Sequence, residues 1–189
     1  MDTLLGWHFC REDRRLGYDD GRLIVEGETL SVDCEPVLCK HGLHASDRLI
    51  DALKYAPGET LCRVELSDGI VRGDDKAVAR SRKTLWMFDA TNALRDFAAT
   101  VAEQALMAER AAGREPDPRS WAAVQFVRDL LAVKFKEEER EAARSAARSA
   151  ARSAAWSAAE SAAESAAESA AESAQEVLLI SIIEKWRNA

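Results

Sequence analysis

Beyond residue 118 the chain has neither glycine nor proline. Nothing in the last 71 positions therefore stops a helix, because Gly and Pro are the residues that most disfavour one. Aromatic residues are also scarce, at 6% of the 189. The 47% hydrophobic content is inflated by alanine crowded between residues 142 and 174. Alanine buries little area, so the core is smaller than the percentage implies. Long runs of large apolar side chains are missing, which argues against a membrane span. A surplus of Lys and Arg is missing too: the formal charge is −7, so a general nucleic-acid binder is excluded, since phosphate contacts need clustered cations. The opening Met1–Gly6 is too short and too acidic for a secretory signal. Four cysteines, Cys10, Cys34, Cys39 and Cys62, lie in the first third. The expectation is reduced thiols in a cytoplasmic protein.

What is present divides the chain in two. Residues 1–113 read as a small α+β domain, 114–118 as a stiff Pro-containing linker, and 119–189 as a long helical oligomerisation or stalk segment. The charge is uneven, with 16 basic and 22 acidic side chains before residue 119 and 10 and 11 after it. In the first part Gly6–Phe9 reads as a strand, and Leu23–Val25 and Leu30–Val32 as a hairpin about Glu26-Gly27-Glu28. Ser46 is placed to cap a helix that carries Leu49, Ile50, Leu53 and Tyr55 and stops at Pro57-Gly58. Alternation from Leu61 to Leu66 predicts a half-buried strand, and Ile70–Arg72 and Ala77–Leu85 read as further strands. Asp89 or Thr91 then caps a helix bearing Leu94, Phe97, Val101 and Leu106.

The second part is a tetrad repeat, Ala-Ala-Arg-Ser around Arg144, Arg148 and Arg152, then Ser-Ala-Ala-Glu around Glu160, Glu164, Glu168 and Glu172, with Trp156 between. Four residues advance a helix by about 400°, so the charged row drifts about 40° per repeat and no coiled-coil seam survives. Pairing residue i with 316 − i of a second copy sets Arg144 on Glu172, Arg148 on Glu168 and Arg152 on Glu164. The same register sets Ile183 on Val133 and Trp186 on Leu130. Such self-complementarity is what a two-fold dimer requires. A straight rod would leave the apolar run Val177–Trp186 in water. The expectation is therefore an antiparallel homo-oligomer with Leu130, Val133, Trp156, Leu179, Ile182, Ile183 and Trp186 at its interface. A tail folded back on its own domain is the other arrangement, and it needs a break that no Gly or Pro supplies.

Chemistry concentrates in the first part. Gly42 permits a tight turn, His44 precedes a helix, and His8 on the first strand completes a polar cluster with Ser46 and Tyr55. His8, His44, Ser46 and Tyr55 are the candidate ligand-binding residues, for a small anion such as a phosphate or nucleotide; the plain reading makes Ser46 a cap and His44 a structural residue. Cys34, Cys39, His41 and His44 crowd one loop without the usual zinc spacing. No metal and no cofactor are expected, and no catalytic residue is assigned. Asp74-Asp75-Lys76 reads as a solvated turn, and Lys76, Arg80, Arg82 and Lys83 as a surface strand. Trp7 and Trp86 read as core.

Two resemblances follow from these residues. Gly6-Trp7-His8-Phe9, Gly17-Tyr18-Asp19-Asp20-Gly21-Arg22, Leu38-Cys39 with Gly42-Leu43-His44-Ala45-Ser46, Asp51-Ala52-Leu53, Tyr55-Ala56-Pro57-Gly58 and Asp75-Lys76 resemble an uncharacterised domain of phage and bacterial proteins. Its members often carry Ala-rich tails. The likeness spans residues 4–98 and implies a shared fold, with no established activity; the expectation, resting on the tail, is a phage-related, non-enzymatic binding or scaffolding protein that self-associates through its Ala-rich helix. Gly42–Ser46 with Ala52, Tyr55 and the strand Leu61–Leu66 is similar to the central strand–Ser–helix motif of ADP-ribosyltransferases. That likeness puts His8 where the superfamily has its first-strand His or Arg. Glu65 comes too early for the catalytic Glu, and later strands offer Asp75 instead. The alternative it implies is a nucleotide-recognising domain with an ADP-ribosyltransferase-like site lacking its carboxylate.

Overall fold

A computed structural model describes residues 2–17, 20–132 and 167–188. The chain is α+β and divides into two compact units, Met1–Thr91 and Asn92–Ala189. Seven strands occupy the first unit: β1 (Thr3–Cys10), β2 (Thr29–Ser31), β3 (Leu43–Ala45), β4 (Thr60–Ser67), β5 (Val71–Arg72), β6 (Ala77–Ala79) and β7 (Ser81–Asp89). The short helix α1 (Leu49–Lys54) follows β3. The described helices of the second unit are α2, which starts one residue earlier (Thr91–Ala111), α3 (Pro118–Ala132) and α4 (Ala167–Arg187).

Two antiparallel sheets face a shared core. The larger has the order β1-β4-β7-β2, the smaller β3-β6-β5. Register sets His8 opposite Cys62 and Cys10 opposite Thr60 on β1 and β4. On β7, Arg82 lies opposite Leu66 and Thr84 opposite Val64. Strand alternation then directs Cys10, Cys62, Val64, Leu66 and Arg82 to one face. The apolar members of that face pack with Ala45, Ala77 and Ala79 of the small sheet and with Ile24. A bulge between Arg63 and Val64 leaves Leu85 without a partner in the ladder, which sends Trp86 to the opposite face with Trp7. There the two indoles meet edge to face at 5.8 Å, with the Arg63 guanidinium 4.3 Å over Trp7.

The sheets are joined where β1 meets the end of β3. Trp7 and Ser46 exchange backbone hydrogen bonds of 2.7 and 2.9 Å. The approach depends on Gly6, whose Cβ, if present, would sit 2.9 Å from Ala45 Cβ. Gly42 holds φ +110° at the entry to β3, where a Cβ would lie 2.5 Å from Val78 Cγ2. Only glycine meets both demands.

Several sequence expectations change here. No hairpin forms about Gly27: only β2 pairs, and it pairs with β7, while the Gly27 N–H donates to the Thr84 carbonyl. Helix α1 has Arg48, not Ser46, at its N-cap position, without a side-chain cap bond. The Asp89 carboxylate accepts the Thr91 N–H at the head of α2.

The two compact units meet at 91/92 in the sequence. The Gly113–Pro118 stretch is a tight helix–helix turn. Arg114 N–H donates to Glu109 O and Gly113 N–H to Arg110 O, a Schellman closure with Gly113 at φ +78°. Asp117 then caps α3 by accepting the Arg119 N–H at 2.8 Å, with Pro118 as first helical residue.

In the second unit three helices converge on one carboxylate. Asp96 of α2 is buried, at 6% exposure. Its Oδ1 accepts from Arg128 Nη1 of α3 at 2.5 Å; its Oδ2 accepts from Trp186 Nε1 at 2.9 Å and Lys185 Nζ at 3.1 Å, both of α4. Burial works against the Asp96 carboxylate, but the Trp186 N–H, Lys185 and Arg128 outweigh it and hold the carboxyl below its ordinary range. No helix among the described residues is long and apolar enough to cross a membrane.

Candidate functional site

Because β1, β3 and β7 meet at the Trp7–Ser46 junction, His8, His44 and Arg82 come within electrostatic reach of one another. Arg82 is the feature that sequence reading missed. Placed on a surface strand by its neighbours Arg80 and Lys83, it is 2% exposed. Its position opposite Leu66 sends it inward, whereas Arg80, one residue before β7, pairs outside with Glu35 and Asp68. The parity Arg82–Thr84 was the available signal, but it acquires meaning only once the register with β4 is known.

The Arg82 guanidinium makes one hydrogen bond, from Nη1 to the His44 carbonyl at 2.7 Å. Nε and Nη2 are buried and have no hydrogen-bond partner among the described residues. Those two nitrogens form the side-on edge of the guanidinium, the parallel pair of donors that matches the two oxygens of a carboxylate or phosphate. The acids acting on Arg82 are the Cys62 and Cys10 thiols; no carboxylate bonds it among the described residues. Burial lowers its pKa to about 10, which leaves it cationic at neutral pH.

The two imidazoles beside it are half-buried. The His8 pKa is depressed well below the ordinary value by burial first, then by the charge of Arg82 and by His44. Burial also lowers His44; its bond with the Gly42 backbone works the other way, and Lys76 and Arg82 add to the lowering. His44 Nε2 accepts the Cys39 N–H at 3.1 Å, which fits a neutral ring carrying its proton on Nδ1. Both rings are therefore neutral near pH 7 in the unliganded protein. A bound anion would offset the Arg82 charge that acts on both rings.

Of the candidate ligand-binding residues, His8, His44 and Ser46 are brought together. Ser46 is buried, and its backbone holds β3 against β1. Tyr55 stands apart at 51% exposure, donating its hydroxyl to Asp75 Oδ2 at 2.5 Å with Lys76 Nζ 3.9 Å over its ring. A cleft of about 270 Å³ opens by α1, lined by Asp47, Arg48, Arg72 and Asp74 among others. None of His8, His44, Ser46 and Tyr55 lines it, and its charges are internally matched, as by Asp47 with Arg72 at 2.8 Å. Cys34 and Cys39 are exposed, and no group of three His, Cys, Asp or Glu is arranged for a metal among the described residues.

The residues expected at an interface on the tail are placed as follows. Leu179, Ile182 and Ile183 are buried by the chain itself, at 0%, 7% and 2% exposure. Trp186 is half-buried and donates to Asp96, and Leu130 is half-buried on α3. Val133, Trp156 and the repeat as far as Glu164 lie outside the described residues, while Glu168 and Glu172 fall in α4. Within the chain, α4 is bonded to α2 through Trp186 and Asp96, and Leu179 and Ile183 are buried. Comparison with family models, with curated proteins and with solved structures gives no match to this chain.

Proposed function

We propose that the N-terminal unit is a non-enzymatic binding module for a small phosphate-bearing ligand, a nucleotide being the class that fits the sequence reading. One observation carries this: a buried arginine whose bidentate donor edge has, among the described residues, neither a protein partner nor a carboxylate beside it. Leaving such donors unmet costs about 1–3 kcal/mol per group, more for charged ones, and an oxyanion on that edge removes the cost. His8 and His44 stand beside it as neutral rings that gain a proton readily once the anion is present. Ser46 contributes by fixing the β1–β3 junction. The absence of a carboxylate from this cluster, among the described residues, favours binding over catalysis.

Titration calorimetry with inorganic phosphate and with adenine nucleotides tests the reading. The wild-type chain should bind at least one of them, with net proton uptake near pH 7 as His8 or His44 charges. Arg82→Met should weaken binding at least tenfold, about 1.4 kcal/mol. Silence with every phosphate ligand, or unchanged affinity in a folded Arg82→Met variant, would overturn it.

A further inference from the structure

We propose that Cys10 and Cys62 form a reversible oxidation site for hydrogen peroxide, Cys10 being the sulfur attacked and Cys62 the one that resolves it as a disulfide. The two residues lie on neighbouring strands with one register step between them, Cys10 opposite Thr60 and His8 opposite Cys62. Both side chains point into the inter-sheet core, and the Cys62 thiol donates to Cys10 Sγ at 3.9 Å. That bond, with Arg82 and Arg14 nearby, favours Cys10 as the thiolate of the pair, although burial opposes it, and raises Cys62 as the protonated member. A thiolate is the nucleophile, and a neighbouring thiol is the resolving group, so the pair holds both halves of the chemistry.

The electron balance closes with peroxide as the only added reactant. Cys10 sulfur attacks one peroxide oxygen and the O–O bond breaks. The sulfur loses two electrons and becomes a sulfenic acid, and the other oxygen leaves as water after taking a proton. The Cys62 sulfur then displaces the hydroxyl from Cys10: an S–S bond forms, the S–O bond breaks, and a second water leaves with the Cys62 proton. Cys10 and Cys62 are 2% and 0% exposed, which is why the oxidant proposed is a small uncharged one. The sulfurs must close from 3.9 Å to about 2.05 Å across a diagonal strand pair, and the resulting strain makes the bond easy to reduce again. The inference goes beyond phosphate binding and does not require Arg82 to hold an anion.

Trypsin separates the sulfurs conveniently: Cys10 falls in the peptide 1–11, Cys62 in 55–63, and Cys34 and Cys39 together in 23–40. The folded full chain is treated with peroxide, quenched by alkylation in denaturant, digested without reductant and weighed. The expected product is peptide 1–11 joined to 55–63, two hydrogens lighter than the sum and released by dithiothreitol. In Cys62→Ser, Cys10 should instead gain two oxygens, because nothing resolves its sulfenic acid. Overturning results are Cys10 and Cys62 recovered as alkylated thiols while Cys34 or Cys39 is oxidised, Cys10 over-oxidised in the wild type with Cys62 free, or cross-links of either to 23–40. The wild-type arms decide the matter even where a serine variant fails to fold.

Discussion

Replacing Asp96 by Asn keeps the shape of the side chain and removes the charge on which α2, α3 and α4 converge. Arg128 retains Thr100 Oγ1 and Glu103, each at 3.0 Å, so it loses one of its bonds and not all of them. Lys185 is 68% exposed in its side chain, and its pairing contributes little after solvent screening. The main losses are the charge-assisted bonds from Arg128 and from the Trp186 N–H, each worth about 1–1.5 kcal/mol here. Asp96→Asn should therefore destabilise the helical unit by about 2–3 kcal/mol. Urea unfolding at pH 7, followed by far-UV circular dichroism, measures it. Trp186→Phe, which keeps the ring and drops the donor, should cost about 1 kcal/mol, and the double variant less than the sum of both. A loss below about 0.5 kcal/mol for Asp96→Asn, within the range of ordinary surface changes, would refute the argument that α4 is held on α2 by this carboxylate.

Acid should weaken the unliganded protein before most carboxylates titrate. His8 and His44 are depressed in the folded state relative to 6.5, so the unfolded chain takes up their protons first. Their contribution is complete above pH 6.5 and falls below it, at up to about 1.4 kcal/mol per pH unit for each ring. Flat stability between pH 7 and pH 5 would contradict the buried, neutral assignment. Asp96, also depressed, loses its contribution only as pH drops further, through the carboxylate range. Because Leu179, Ile182 and Ile183 are buried within the chain, light scattering at micromolar concentration should report a monomer; a dimer mass would show that the chain self-associates.

The strands were legible where alternation was strong and local. Leu61–Leu66 lies within β4, and Gly6–Phe9 within β1. The hairpin about Gly27 was misread because Leu23–Val25 is apolar without being paired along its length. Ile24 enters the inter-sheet core from a loop, and only an isolated bridge joins Leu23 to Arg15. A turn-flanked apolar run carries no record of which strand it will meet, and β2 found β7 across some fifty residues. Of the site, the histidines and Ser46 stood out because the residue types are chemically conspicuous. Tyr55 was grouped with them by proximity in sequence, yet α1 turns it toward Asp75.

The breaker-free composition determined helix over Pro118–Ala132 and Ala167–Arg187, because propensity acts on each residue through its own backbone. Period-two patterns determined strands for the same local reason. Arg82 was decided by tertiary structure alone: the residue preceding Lys83 is buried because β7 registers against β4 with Arg82 opposite Leu66. The fate of the apolar terminus was decided there as well. Its hydrophobicity demanded burial, but hydrophobic burial is non-directional and does not choose a partner. Asp96, a carboxylate near the start of α2, has two oxygens that accept from both other described helices of its unit.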